Sequence, residues 1–478
     1  MCSDTLMITG LELTNFKTWQ QTGPIRLAPI TVLFGTNSSG KSSIHQFLLM
    51  LKQTAESPDR RRVFHAGGEG TTPVALGSYR DFVFAHETGR EIDFRLSWEL
   101  PEALVISDPK GRKTYSAHLL SFHARVGQAG ERRSQVQVRE LTYTPQAKDG
   151  SAVMSVSMRP VVGRTGEFDL ETSDNYTLVR SRGRTWHIPP PVRFYGFPPE
   201  AVARYQNSAF TTDLALELER ELRFLTYLGP LRFPPARNYK WSGDAPEHVG
   251  WSGERAIEAV LASTGRRLNP GPHRRKEPFQ ALMARWLKTL GVIEEFAIVP
   301  VAEGSDVYEA RVRAPGSIET VLLPDVGFGV SQVLPVVVEC FYAQPHATII
   351  MEQPEIHLHP AVQSQLADLF IETIRSREGG VDRHVQLVVE THSEHLLRRL
   401  QRRIAEGVLN PAEVAMYFCE TGEQGSKLRT LEVDVLGSIH NWPRDFFGDQ
   451  MEDVARQAEV SLRKRAETAG NRTTTATR

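Results

Sequence analysis

Gly35-Thr36-Asn37-Ser38-Ser39-Gly40-Lys41-Ser42-Ser43 is the stretch on which the fold turns. Ahead of it Pro29–Phe34 is apolar and reads as a strand. Behind it Ser43–Gln53 reads as a helix with Phe47, Leu48 and Leu51 on one side. Strand, glycine-rich loop and helix in that order are the context of a phosphate-binding loop. The glycines let the backbone N–H groups of residues 35–40 close around a β-phosphate, and Lys41 adds charge to the β/γ oxygens. The Ser42 hydroxyl, with Ser43 beside it, is placed for Mg²⁺. A plain glycine-rich turn is the rival reading, since short patterns match by chance. The flanking strand and helix favour ATP with Mg²⁺.

Working outward, a second apolar run, Ala347–Met351, ends in Glu352-Gln353-Pro354-Glu355. A strand ending in a carboxylate places Glu352 as a Mg²⁺ or Mg²⁺-water ligand at the strand's C-terminal edge. Around it the pattern is α/β: helix Ser331–Tyr342, strand Ala347–Met351, helix Val362–Arg375, strand Val385–Val389 and helix His395–Glu406. The middle differs. Ile92, Phe94, Leu96, Trp98 and Leu100 repeat at a period of two, as do Met154, Val156 and Met158, so residues 85–199 read as an antiparallel β region. Residues 200–318 read as helices and loops, with Leu214, Leu218, Leu222 and Leu225 near i, i+4 spacing and a Pro/Gly-rich loop or lid over Gly229–Gly253. The division expected is 1–84 and 319–436 for the two parts of one α/β head, 85–199 and 200–318 for its insertion, and 437–478 for a C-terminal element with a disordered tail.

The order Asn15-Phe16-Lys17, phosphate loop, Gly327-Phe328-Gly329-Val330-Ser331-Gln332, Glu352-Gln353-Pro354-Glu355-Ile356-His357-Leu358-His359-Pro360 and Glu390-Thr391-His392-Ser393 resembles the RecF/SMC-like ATPases. The nearest kin are the ATPase part of the overcoming-lysogenisation-defect (OLD) family and bacterial anti-phage ATPases. The resemblance covers residues 1–55 and 320–400, and the ending from Gly437 to Gly448 is similar to an element of the same group. It implies an ABC-type P-loop ATPase head with an antiparallel β and helical insertion. Gly327, Gly329 and Ser331 would form the signature that caps the γ-phosphate of a partner subunit's ATP. His392 would be the switch histidine, and Leu358-His359-Pro360 a loop at the dimer contact.

Two departures matter. Glu352 stands where the family has Asp. Gln353 falls where many such ATPases carry the catalytic glutamate, leaving Glu355 as a substitute base at an unusual spacing. No Q-loop glutamine is recognised; Gln53 sits in the first helix. The Toprim nuclease of OLD proteins needs more chain than follows His392, and Glu432-Val433-Asp434 does not make its Asp-x-Asp pair.

The 478 residues, 40% hydrophobic and 24% charged, suit a folded protein of two or three domains. A net charge of -1 gives no overall basic field, so nucleic acid stays open as a partner only through a local patch. Cys2, Cys340 and Cys419 show no metal or disulfide spacing, and no signal peptide or membrane span is seen, which points to the cytoplasm. His357 and His359 lack a third ligand for a metal. The expectation is a slowly hydrolysing ATPase that closes as a homodimer or higher even oligomer and serves a separate effector in anti-phage defence. The rivals are a DNA-repair ATPase loading on DNA and a nucleotide-gated interaction protein with negligible turnover.

Overall fold

The computed structural model describes residues 7–443, apart from 69, 71, 109, 129–135, 184–186 and 272–273, together with 456, 457 and 459–461. Cys2, the end of the C-terminal element from 444 and the low-complexity tail lie outside the described residues.

The chain opens with β1 (Met7–Phe16), β2 (Trp19–Gln21), β3 (Ile25–Arg26), β4 (Ile30–Gly35) and helix α1 (Lys41–Glu56). A short α2 (Tyr79–Phe82) leads to β5 (Ile92–Asp108), β6 (Lys113–Gln128), β7 (Val136–Gln146), β8 (Val156–Pro160) and β9 (Phe168–Thr172). Helices α3 (Pro199–Arg204) and α4 (Phe210–Arg223) precede β10 (Leu225–Leu228) and β11 (Tyr239–Lys240). Next come α5 (Ala256–Ala262), β12 (Arg267–Asn269), β13 (Glu277–Pro278), α6 (Phe279–Thr289), β14 (Glu295–Pro300), β15 (Val307–Arg313) and β16 (Thr320–Leu322). The last third holds α7 (Phe328–Tyr342), β17 (Thr348–Glu352), α8 (Pro360–Ile374), β18 (Arg377–Glu378), β19 (Val381–Asp382), β20 (Gln386–Glu390), α9 (Glu394–Ala405), β21 (Val414–Gly422) and β22 (Gly425–Thr430).

One sheet organises the molecule. Its order is β10-β17-β20-β4-β21-β22, parallel throughout except for the edge strand β22. The strands are short runs of Val, Ile, Leu and Met because both faces are covered, as parallel sheets require. Alternate residues feed two cores. Leu33, Ile350, Val388, Ala415 and Tyr417 pack with α1, α4 and the antiparallel strands. Ile30, Val32, Phe34, Ile349, Met351, Leu387, Val389 and Met416 pack with residues of α5 to α9. Each such side chain contributes about 1.5–3 kcal/mol of burial.

The antiparallel sheet runs β2-β1-β5-β6-β7-β8-β9, with β3 also on β1. Ile92, Phe94, Leu96 and Trp98 are fully buried on its inner face. Strands preceding β4 therefore complete the sheet that the 85–199 pattern announces. The helix over Leu214, Leu218 and Leu222 stops at Arg223, and Leu225 opens β10 instead, paired with Thr348. Residues 295–318, part of the region read as helices and loops, hold β14 and β15, which form a small antiparallel sheet with β11 and β16. No helix among the described residues is long and apolar enough to cross a membrane.

Candidate nucleotide-binding site

Parallel strands β4, β20 and β17 run side by side, with Leu33 paired to Glu390 and Glu390 to Glu352. Their carboxyl ends open on one edge, and α1 starts there. That edge is where open α/β sheets take ligands, with the helix N-terminus offering unpaired N–H groups.

The loop from Gly35 to Gly40 is held in an unusual shape by its surroundings. Gly35 has φ 148°, and a Cβ there would lie 2.2 Å from the Cys419 carbonyl oxygen on β21. Gly40, at φ 91°, caps α1, and its Cβ would meet Thr18 Oγ1 at 2.5 Å, Ser426 Oγ at 2.7 Å and Trp19 Nε1 at 2.9 Å. Trp19 Nε1–H donates to the Gly40 carbonyl at 2.9 Å, and Ser39 Oγ donates to the Thr36 carbonyl at 2.8 Å. Lys41 Nζ donates to the carbonyls of Thr36 (2.7 Å) and Gly35 (3.1 Å), and stands 3.9 Å from Glu390 Oε1. Burial holds the Lys41 ammonium below its usual range, with Glu390 opposing that shift. The loop thus presents a cation inside a ring of backbone groups, which suits a polyphosphate.

Ser42 Oγ donates to Glu390 Oε2 at 2.8 Å, and Glu352 ends the next strand. Three hard oxygen donors fit Mg²⁺, which prefers such ligands. Bound with ATP, Mg²⁺ would offset charge on the phosphate oxygens. Burial, opposed by His45 and reinforced by Glu352, raises the Glu390 carboxyl above the ordinary range.

Further groups crowd Glu352. The Tyr227 hydroxyl, on β10, hydrogen-bonds its carboxylate; burial first, then that charge, keeps the phenol protonated. Arg232, 8% exposed on the loop after β10, donates from Nη2 to the Glu352 carbonyl at 3.5 Å, while its Nε and Nη1 have no protein partner. Desolvation brings this guanidinium down to about 10, against the pull of Tyr227, Glu352 and Glu355. His45 lies one turn along α1 from Lys41 and is fully buried.

Gln353 and Glu355 follow β17 but sit differently. Gln353, half-buried at φ 44°, donates its backbone N–H to the Glu390 carbonyl at 2.8 Å. Glu355 is buried, and its Oε1 accepts the His392 N–H at 2.7 Å, with the Thr391 hydroxyl also bonding the carboxylate. Glu355 is thereby tied to the backbone of the segment that carries His392. The His392 ring is exposed, bonds the Gly35 carbonyl and is held below its usual range by desolvation and by Lys41. Ser393 caps α9 by accepting the Leu396 N–H, and donates to Gln363 Oε1 at 2.7 Å. The segment that carries His392 is therefore anchored on both sides.

Residues 286–397 match the AAA ATPase domain family, and residues 409–457 match the family described as a protein of unknown function, DUF3696. The matched domain carries α7, β17 and β20, and the phosphate loop lies at the edge where the two strands end. Residues 286–397 are thus similar to an ATPase domain.

Among solved structures the head is similar to the SMC head bound to the C-winged helix domain of ScpA, at 11% identity and TM-score 0.41, covering 89% of this chain and 98% of that one. It is also similar to the SMC head domain from Thermotoga maritima, at 12% identity and TM-score 0.37, over 89% and 100% of the two chains. A third is the SMC head with an extended coiled coil from Pyrococcus furiosus, bound to the C-terminal domain of ScpA, at 11% identity and TM-score 0.40, over 90% and 97%. No curated protein matches by sequence.

The segment expected to form the signature starts α7. Gly327 is the N-cap, exposed, and a Cβ on it would meet nothing within 4 Å. Ser331 is buried, and its hydroxyl donates to the Phe328 carbonyl at 2.6 Å. The outward groups here are Gly327 and Phe328, whose ring packs edge-on against His357 at 5.2 Å; Leu358 underlies Gly329. His359 caps α8, accepting the Ala361 N–H. Gln53 is buried and bonds the His65 carbonyl, away from the site.

Sequence reasoning gave no role to four residues that the fold brings to this edge: His45, Tyr227, Arg232 and Glu390, the last quoted only within a motif. For Glu390 a signal existed, since Gln386–Val389 runs into it as Thr348–Met351 runs into Glu352. Tyr227 and Arg232 gave none, because β10 was hidden in a helical pattern.

Proposed function

We propose that this chain binds Mg²⁺–ATP on Lys41 and Ser42, closes over it head-to-tail with a second copy, and hydrolyses it slowly. Gly327, Gly329 and the first N–H groups of α7 supply the capping face, with Ser331 holding the helix start in shape. His392, bonded to the Gly35 carbonyl, is placed to register the terminal phosphate. The observation that supports slow turnover is that Gln353 is a neutral amide, while the Glu355 carboxylate is held in place by the His392 N–H on Oε1, its Oε2 buried without a protein partner. The long-lived closed state suits the sensor or scaffold subunit of an anti-phage defence system acting through a separate effector, a role that rests on the resemblance to that group.

Light scattering tests the assembly. Wild type should double its mass, or reach a higher even multiple, with ATP and Mg²⁺. Gly327→Arg, at a position open enough to accept the side chain, should bind ATP but stay at the starting mass. Equal assembly by both proteins would remove α7 from the interface.

A further inference from the structure

Close to the phosphate loop lies a nitrogen that Mg²⁺ does not call for. His45 Nδ1 stands 3.7 Å from Glu352 Oε1 and 3.9 Å from Glu390 Oε2, and one atom from each of the three residues falls within 4.8 Å of the others. All three side chains are buried, His45 completely. Neither ring nitrogen of His45 has a hydrogen-bond partner in the protein. A buried imidazole with both nitrogens unpaired costs about 1–3 kcal/mol per lost bond, so it is retained where something else satisfies it. Lys41 does not: its ammonium turns to the Gly35 and Thr36 carbonyls.

We propose that His45, Glu352 and Glu390 bind a divalent first-row transition ion of the Mn²⁺, Fe²⁺ or Zn²⁺ class in preference to Mg²⁺. Imidazole nitrogen suits these ions, whereas Mg²⁺ takes oxygen and keeps its waters. Cis ligands on an ion at about 2.1 Å lie about 3 Å apart, so the two spacings from His45 need a contraction of under an ångström. Side-chain rotation supplies that. His45 is fixed to α1 four residues after Lys41, and the two carboxylates are register partners on adjacent strands, so the site is built on rigid elements. Because both carboxylates belong to the edge assigned above to Mg²⁺–ATP, the proposal rests on that reading and adds to it: the transition ion occupies the edge in the nucleotide-free protein, and Mg²⁺ enters with ATP.

The test uses the full chain without nucleotide. Mn²⁺ bound to wild type should show ¹⁴N coupling from one imidazole in pulsed EPR. Titration with Co²⁺, followed by its visible absorption, should give one ion per chain that a tenfold excess of Mg²⁺ does not displace. His45→Leu should weaken Co²⁺ binding by at least about 10-fold, the loss that even outer-shell partners of a metal cause. Absence of nitrogen coupling in wild type overturns the proposal whether or not the variants fold, as does displacement by equimolar Mg²⁺. Lys41→Ala separates the two readings: it should lose ATP yet keep Co²⁺. If wild type binds Co²⁺ but no ATP, the metal site stands and the nucleotide reading falls.

Discussion

Turnover is the property most exposed to a single substitution, and Gln353→Glu is the perturbation that reads it. The residue follows the last residue of β17, directly after Glu352, with its backbone fixed to the Glu390 carbonyl at 2.8 Å. A carboxylate there would join Glu352, Glu355 and Glu390 at the same edge. Like charges raise its pKa towards neutrality, which is where a general base works best. General-base assistance is worth about 10²–10⁴-fold, or about 3–5 kcal/mol of barrier. Gln353→Glu should therefore speed phosphate release by two orders of magnitude or more. Glu355→Gln keeps an oxygen to accept the His392 N–H, so turnover should change little. Glu355→Ala instead strands that buried N–H and should cost about 1–3 kcal/mol of stability. The assay is steady-state phosphate release by the three variants and by Gln353→Glu combined with Glu355→Gln. Abolition of turnover by Glu355→Gln in a protein of normal stability would make Glu355 the working base and refute this reasoning. Many turnovers per second by wild type alone would refute it too.

Two further predictions concern stability. Glu221 on α4 is 1% exposed, both its carboxylate oxygens lack partners, and burial, reinforced by Glu217, raises its pKa to about 8. The folded protein then holds a proton that the unfolded chain releases near pH 4.5. Its contribution is complete below that value and fades as pH rises to about 8, by up to about 1.4 kcal/mol per pH unit. Glu221→Gln should flatten this slope in urea melts at pH 5, 6.5 and 8; parallel slopes would show that Glu221 is ionised in the fold. Gly40→Ala places a methyl 2.5 Å from Thr18 Oγ1 at positive φ, and should cost about 1–3 kcal/mol while weakening ATP binding. An unchanged melt would mean the loop is far softer than its contacts imply.

The parts of this head that sequence reveals are those whose signal is local. The phosphate loop and β17 each combine an apolar strand with a fixed polar ending, and β5 alternates over Ile92 to Trp98 with no competing period. Where the signal is tertiary, reading along the chain fails. Leu225 continues the i, i+4 leucine series of α4, yet it leaves the helix because the edge of β17 offers it backbone partners. β21 is equally silent, since Val414–Cys419 is buried on both faces and shows no period. The same limit applies to chemistry. His45 looks like one more residue of an apolar helix until β17 and β20 bring Glu352 and Glu390 to it. Ser331, by contrast, sits in the signature by spacing, while its hydroxyl turns back to Phe328.

Nucleotide binding itself is tested most directly by calorimetry of Lys41→Ala against wild type with ATP and Mg²⁺. The Lys41 ammonium is the group inside the loop that would donate charge-assisted bonds to phosphate, each worth about 1.5–3 kcal/mol. Removing it should weaken ATP binding by roughly 100-fold or more while leaving the melting curve near that of wild type. Equal affinity in the two proteins would contradict the placement of ATP on this loop.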